Sequence, residues 1–250
     1  LGQSTIDPDS PRSVPLRTLA VLPSRFASTR FPGKPLAVIA GKPMIQWVWE
    51  AARTAEGVTR VVVATDDARI RTAVEAFGGE ALMTDPALPS GTDRVAAVLE
   101  MLEERFDAVV NILGVEPAMQ PQTIAAVVRL LREQPELPMG TAACPFADVE
   151  ELFSPNAVKV VTGARGRALY FSRSPIPYLR NSHVFEPDFR PWMQPAQLAI
   201  FKRHLGIYAY RPEALRAFTA LPPHPLEQLE MLEQLRALAA GMAIGVAETP

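Results

Sequence analysis

Residues 22–36, LPSRFASTRFPGKPL, gather Arg25, Arg30 and Lys34 and hold no acid. The stretch leaves an apolar run and turns through Pro32 and Gly33. Ser28, Thr29 and the backbone N–H groups can donate to phosphate oxygens, and the three cations can neutralise them. The GxxxxGK-Ser/Thr pattern of a Walker loop is absent, so this is a different phosphate cradle or a solvated basic turn. Farther on, SGTDR at residues 90–94 reads first as a capped helix start, with Asp93 a favourable first-turn acid. His204 and Tyr208 lie four apart in a strand-like run, which puts both side chains on one face. That face reads equally well as the half-buried side of a strand.

These residues must be positioned by regular elements, and strand and helix patterns alternate over the first 145 residues. TLAVLPS, RVVVATDD, EALMT, DAVVNILG and MGTAACPF read as strands. Between them, PMIQWVWEAARTAE, ARIRTAVEAFGG, GTDRVAAVLEMLEERF and PQTIAAVVRLLREQ carry helical spacing, the third capped by Ser90 or Thr92. Such alternation predicts an α/β fold with a mostly parallel sheet flanked by helices and right-handed crossovers. Ligands in such sheets sit at the carboxyl ends of strands, so the loops after the first and fourth strands are the places to look. The rear reads as two strands joined by a glycine-containing turn, a strand RHLGIYAY, and one amphipathic helix with leucines at 226, 229, 232 and 235 stopped by Gly241. Residues 184–200, aromatic and proline-rich, read as a loop, lid or dimer arm. The division expected is a tail at 1–17, an α/β region at 18–145, and a rear region at 146–250 that extends the same sheet.

Bulk properties narrow the classes. The chain has 250 residues, 48% hydrophobic and 21% charged, an ordinary soluble balance. A net charge of −2 carries no global excess for nucleic acid, so an anion site must be local. The single cysteine, Cys144, excludes an intramolecular disulfide framework and fits the cytoplasm. The apolar stretch 237–247 is too short to span a bilayer, and the N-terminus lacks the apolar core of a signal peptide.

The motifs also resemble a family. PSRFASTRFPGKPL, GKPMIQWVWEAA, VVVATDD, SGTDRVA, FSPNAVKVV, ALYFSRSPIPY, RHLGIYAYR and PLEQLEMLEQLR occur in the order seen in the cytidylyltransferases of 3-deoxy-manno-octulosonate (Kdo), from Thr18 to the last residue. The resemblance implies a nucleotide-diphosphosugar transferase-like fold, CTP and a Kdo-like acidic sugar as substrates, magnesium as cofactor, and a homodimer. It implies that Arg25, Ser28, Thr29 and Lys34 hold the triphosphate, with Arg25 and Lys34 stabilising charge during transfer. It sets Ser90, Gly91, Thr92 and Arg94 against the nucleotide. It turns Arg173, Arg180, His204, Tyr208, Glu233 and Gln234 to the sugar acid, where two guanidiniums suit a carboxylate and its hydroxyls.

The resemblance is broken around the chemistry. The family loop VNVQGDEP reads VNILGVEP here, with Leu113 in place of a nucleotide-contacting glutamine and Val115 in place of a magnesium-ligating aspartate. Ala87 and Leu88 stand where the family often has Asp-His. The family continues into a GxDTPEDL-like segment carrying a second carboxylate, whereas this chain ends at VAETP. Magnesium wants oxygen ligands, and valine offers none; Glu116 and Asp93 are the remaining candidates, and no metal ligand is assigned. The expected activity is transfer of CMP from CTP to the anomeric hydroxyl of Kdo for lipopolysaccharide synthesis. A catalytically weak or inactive homologue that binds nucleotide or sugar acid as a partner or regulatory protein, and a cytidylyltransferase for another acidic sugar, are the alternatives.

Overall fold

The structure, a computed structural model, describes residues 16–27, 32–113, 119–180 and 193–250. In chain order the elements begin with β1 (Thr18–Ser24), the short hairpin β2 (Val38–Ile39) and β3 (Lys42–Pro43), α1 (Met44–Thr54), β4 (Arg60–Thr65), α2 (Ala68–Ala76) and β5 (Glu80–Met83). They continue with α3 (Gly91–Met101), β6 (Ala108–Ile112), α4 (Pro121–Glu133), β7 (Met139–Pro145), α5 (Val149–Phe153), β8 (Lys159–Thr162) and β9 (Ala168–Ser172). The last are α6 (Pro195–Leu198), β10 (Lys202–Tyr210), α7 (Pro212–Thr219), α8 (Pro225–Glu230), α9 (Gln234–Ala239) and β11 (Ile244–Glu248).

Local chemistry explains the boundaries. Asp67 caps α2 by accepting from Arg69 N–H, and Gly78, at φ 81°, follows its end in the left-handed region. Ser90 and Asp93 form a reciprocal capping box at α3, so Ser90 is the cap and Thr92 lies inside the helix. Pro121 opens α4, which buries Ile124, Val127, Val128 and Leu131 on one face. Each such side chain removed from water stabilises by about 1.5–3 kcal/mol.

The sheet runs β11-β7-β10-β6-β1-β4-β5, with β8 and β9 attached through β10. Strands β6, β1, β4 and β5 are parallel neighbours, and β11 is parallel to β7. Strand β10 enters antiparallel between β6 and β7, so the rear of the chain completes the sheet begun by the front. Strand order reverses at β1, with β4 on one side and β6 on the other, which opens a crevice at their carboxyl ends. One face is covered by α1, α2 and α4 through Ile45, Val48, Ile70, Val74, Ile124 and Val127. The other is covered by α3, α7 and α9 through Val95, Val98, Leu215, Phe218 and Leu235.

Several expectations change. The single rear helix is two, α8 and α9, separated at Met231, whose φ of 51° is left-handed. Of its leucines, Leu232 and Leu235 are buried, whereas Leu229 is 81% exposed. Helix α3 ends at Met101, and Phe106 is buried ahead of β6 instead of extending the helix. Elements α5, α7 and β11 were not foreseen; the β-branched residues of β11, Ile244 and Val246, sit in an alanine- and glycine-rich stretch. Within the proposed arm, residues 184–192 lie outside the described residues, and the remainder contains α6. Most of the tail at 1–17 also lies outside them. No helix of the described residues is long and apolar enough to cross a membrane.

Candidate active site

The loop after β1 is anchored at both ends. Gly33 N–H donates to Phe26 O at 2.9 Å, which brings the two described ends of the loop together. Gly33 has φ 71°, and a Cβ there would lie 3.1 Å from the Phe26 ring, so turn and close approach both call for glycine. The Phe26 ring is covered by the Arg69 guanidinium at 3.4 Å, which pairs with Asp67 at 2.6 Å. Arg25, at the carboxyl end of β1, donates to the carbonyl of Leu88, tying this loop to the one before α3. Lys34 opens a short 3-10 turn whose Pro35 is buried. Ser28, Thr29 and Arg30 lie outside the described residues.

Gly91 approaches β1 closely: a Cβ on it would stand 3.4 Å from Pro23. Ser90 is held by Asp93, with its hydroxyl 2.6 Å from the carboxylate. Thr92 Oγ1 donates to Glu233 Oε2 at 2.8 Å. Arg94 departs from expectation. It is fully buried, pairs with Asp66 at 2.9 Å, and also donates to Thr84 Oγ1. It therefore locks the carboxyl ends of β4 and β5 together and does not line the cleft. Burial holds its pKa below the ordinary value, opposed by Asp66.

Beside β1 lies a cleft of about 490 Å³, lined among others by Asn111, His204, Tyr208, Glu233 and Gln234. The break between α8 and α9 delivers the last two. Arg173 secures that break: Nε donates to Glu230 O at 2.6 Å, and two further nitrogens reach Met231 O and Pro155 O. Its guanidinium is engaged by main-chain carbonyls and is absent from the cleft lining, contrary to the sugar-facing expectation. Arg180 is exposed and also does not line the cleft.

Burial raises the pKa of Glu233, an effect partly opposed by the Thr92 and Ser90 hydroxyls. Burial lowers that of His204 to about 3. The His204 ring meets Phe171 edge-on at 5.0 Å and Tyr208 at 5.5 Å between centroids. Asn111 Nδ2 donates to Thr92 Oγ1 at 3.2 Å. Among the described residues, Asn111 Oδ1 and Gln234 Nε2 are buried without a partner, although their side chains border the cleft. One accepts and the other donates, so together they suit a ligand bearing hydroxyl and oxyanion groups.

Asn111 and Arg203 were missed. Asn111 is the one polar residue of the strand AVVNI, a signal visible in the sequence. Arg203 precedes His204, lines the cleft and pairs with Glu151 of α5 at 3.0 Å. Leu113 closes the cleft over Gly206, where a Cβ would lie 2.8 Å from Leu113 Cδ1. The carboxylates near the cleft are engaged within the protein. Asp66, Asp67, Asp93 and Glu233 are each committed to a protein donor, and no cluster of three candidate ligands occurs among the described residues. Val115, which carries no oxygen donor, and Glu116 lie outside them.

A family model described as Cytidylyltransferase matches residues 19–244. The chain is 50% identical over 230 residues to a 3-deoxy-manno-octulosonate cytidylyltransferase of Syntrophotalea carbinolica, covering 92% of this chain and 89% of the relative. It is 48% identical to one of Idiomarina loihiensis, covering 91% and 88%. A solved structure of CMP:2-keto-3-deoxy-manno-octonic acid synthetase complexed with CTP superposes with a TM-score of 0.82 at 43% identity, covering 93% of this chain and 90% of that one. With this likeness across the whole sheet and both sides of the cleft, the chain belongs to the 3-deoxy-manno-octulosonate cytidylyltransferase family and is a nucleotidyltransferase.

Proposed function

We propose that the chain transfers CMP from CTP to the anomeric hydroxyl of Kdo and releases pyrophosphate, a step that supplies lipopolysaccharide assembly. The hydroxyl oxygen bonds to the α-phosphorus, the bond from that phosphorus to the bridging oxygen breaks, and the hydroxyl proton leaves to solvent. Arg25 and Lys34, with Ser28 and Thr29, take the triphosphate at the carboxyl end of β1, beside Ser90, Gly91 and Thr92. Tyr208, Glu233, Gln234 and the buried Asn111 orient the sugar acid. Positioning and charge neutralisation supply most of the acceleration. The observation that carries this reading is the pair of unpartnered buried polar atoms, Asn111 Oδ1 and Gln234 Nε2, bordering a cleft at the strand ends. The relatives' names and the CTP-bound neighbour support the choice of substrates. Region 18–145 serves the nucleotide and 146–250 the sugar acid, in a cytoplasmic homodimer whose mass light scattering measures; a one-chain mass refutes the dimer.

Magnesium bound to the triphosphate would neutralise phosphate charge, but the described side chains do not build its site. That observation, with Leu113 and Val115, favours a second reading in which turnover is weak and binding persists. Pyrophosphate release with CTP, Kdo and magnesium, run beside calorimetry with CTP and with Kdo, separates the two. Turnover supports the first reading; binding of either substrate without turnover supports the second. Gln234→Leu should raise the KM for Kdo about tenfold, the scale of one lost hydrogen bond, and leave the KM for CTP unchanged.

A further inference from the structure

Strands β7 and β10 pair His204 with Ala143 and Leu205 with Ala142, yet the next pair is Tyr208 with Thr141. Gly206 and Ile207 are therefore extra on β10, and the ladder bulges where it borders the cleft. The bulge brings two carbonyls to one buried hydroxyl. Thr141 Oγ1 lies 2.7 Å from Ile207 O and 3.4 Å from Leu205 O, and 2.9 Å from His204 Nε2. Thr141 has no exposed surface.

A hydroxyl has one hydrogen and carbonyl oxygens only accept. The nearest acceptor, Ile207 O, takes the Thr141 hydrogen, because sending it to the ring would leave two oxygens facing each other at 2.7 Å. Thr141 Oγ1 is then the acceptor toward the imidazole, and Nε2 carries the ring hydrogen. A neutral ring has one N–H, so Nδ1 holds a lone pair. We propose that Thr141 is a positioning residue that holds His204 in the Nε2–H tautomer, so that Nδ1 accepts from a hydroxyl of the sugar acid and does not donate to its carboxylate. The choice of sugar acid rests on the function proposed above; the tautomer rests on the bulge and on a neutral ring, and not on that function. Burial without a carboxylate partner keeps the ring neutral, which makes His204 an acceptor and not a proton-transfer base. The carboxylate is left to donors such as Gln234 Nε2.

The full chain with 15N-labelled histidine tests this by imidazole nitrogen shifts, His204 being identified against His183 and His224 by loss of its signals in His204→Asn. The expected spectrum at neutral pH has a protonated Nε2 and a bare Nδ1. A protonated Nδ1, or two nitrogens averaged alike, overturns the proposal. Thr141→Val should mix the tautomers and weaken Kdo binding about tenfold, and Thr141→Ser should restore both. A single Nε2–H tautomer kept in Thr141→Val removes the role of Thr141. If Thr141→Val does not fold, the unsubstituted chain still decides the tautomer. The Nε2–H signature in a chain that binds no Kdo counts against the substrate assignment and for the tautomer, so the two can fail separately.

Discussion

His204 has a titration set by desolvation alone, which takes its pKa to about 3 from an ordinary 6.5. Between those values the unfolded chain binds a proton that the folded chain refuses. Stability therefore rises with pH across that window and falls as the solution is acidified from about 6.5 toward about 3, below which the contribution levels off. Urea unfolding from pH 7 down to pH 4 should give a steeper loss for the natural chain than for His204→Asn, by up to about 1.4 kcal/mol per pH unit. Parallel curves would contradict the burial argument. The residue itself was legible, because its spacing from Tyr208 put both on one strand face. Its neutral state was not, because that depends on Phe171 and Thr141, which come from other strands.

Elements carry two further expectations. The leucines at 226, 229, 232 and 235 continue one helical stripe through a point where the chain turns left-handed at Met231. The stripe could not reveal the break, since Arg173, which bridges the Glu230 and Met231 carbonyls there, comes from a distant strand end. A non-glycine residue in that conformation costs about 1 kcal/mol. Met231 is 76% exposed, so Met231→Gly should raise the melting temperature, and the β-branched Met231→Ile should lower it. The second concerns the lock between β4 and β5. Asp66→Asn leaves the buried Arg94 guanidinium without its anion and should destabilise by about 3 kcal/mol in denaturant unfolding. Arg94→Met keeps the stem volume, removes the charge, and should cost less. Equal losses would mean that packing, not charge, holds the two strand ends.

At the scale of the molecule, the front strands and the rear strand β10 share one sheet, and the cleft exists only where they meet. Leu113 borders it, and Val115 carries no carboxylate in its side chain. Restoring both polar groups together, Leu113→Gln with Val115→Asp, should raise pyrophosphate release by a factor on the order of 10² and steepen its magnesium dependence. An unchanged rate would place the limit elsewhere in the site.

From the sequence alone came the α/β alternation, the basic loop after the first strand, the order of family motifs and the substitutions at 113 and 115. All are local in the chain, because hydrophobic period, caps and short motifs are properties of neighbouring residues. The tertiary structure decided which of those residues share a site. It buried Arg94 against Asp66, set Arg173 on main-chain carbonyls, and brought Asn111, His204 and Gln234 together from three elements. Arginine is charged wherever it stands in a sequence, and only the surrounding fold determines whether its partner is a ligand, a carboxylate or a backbone carbonyl.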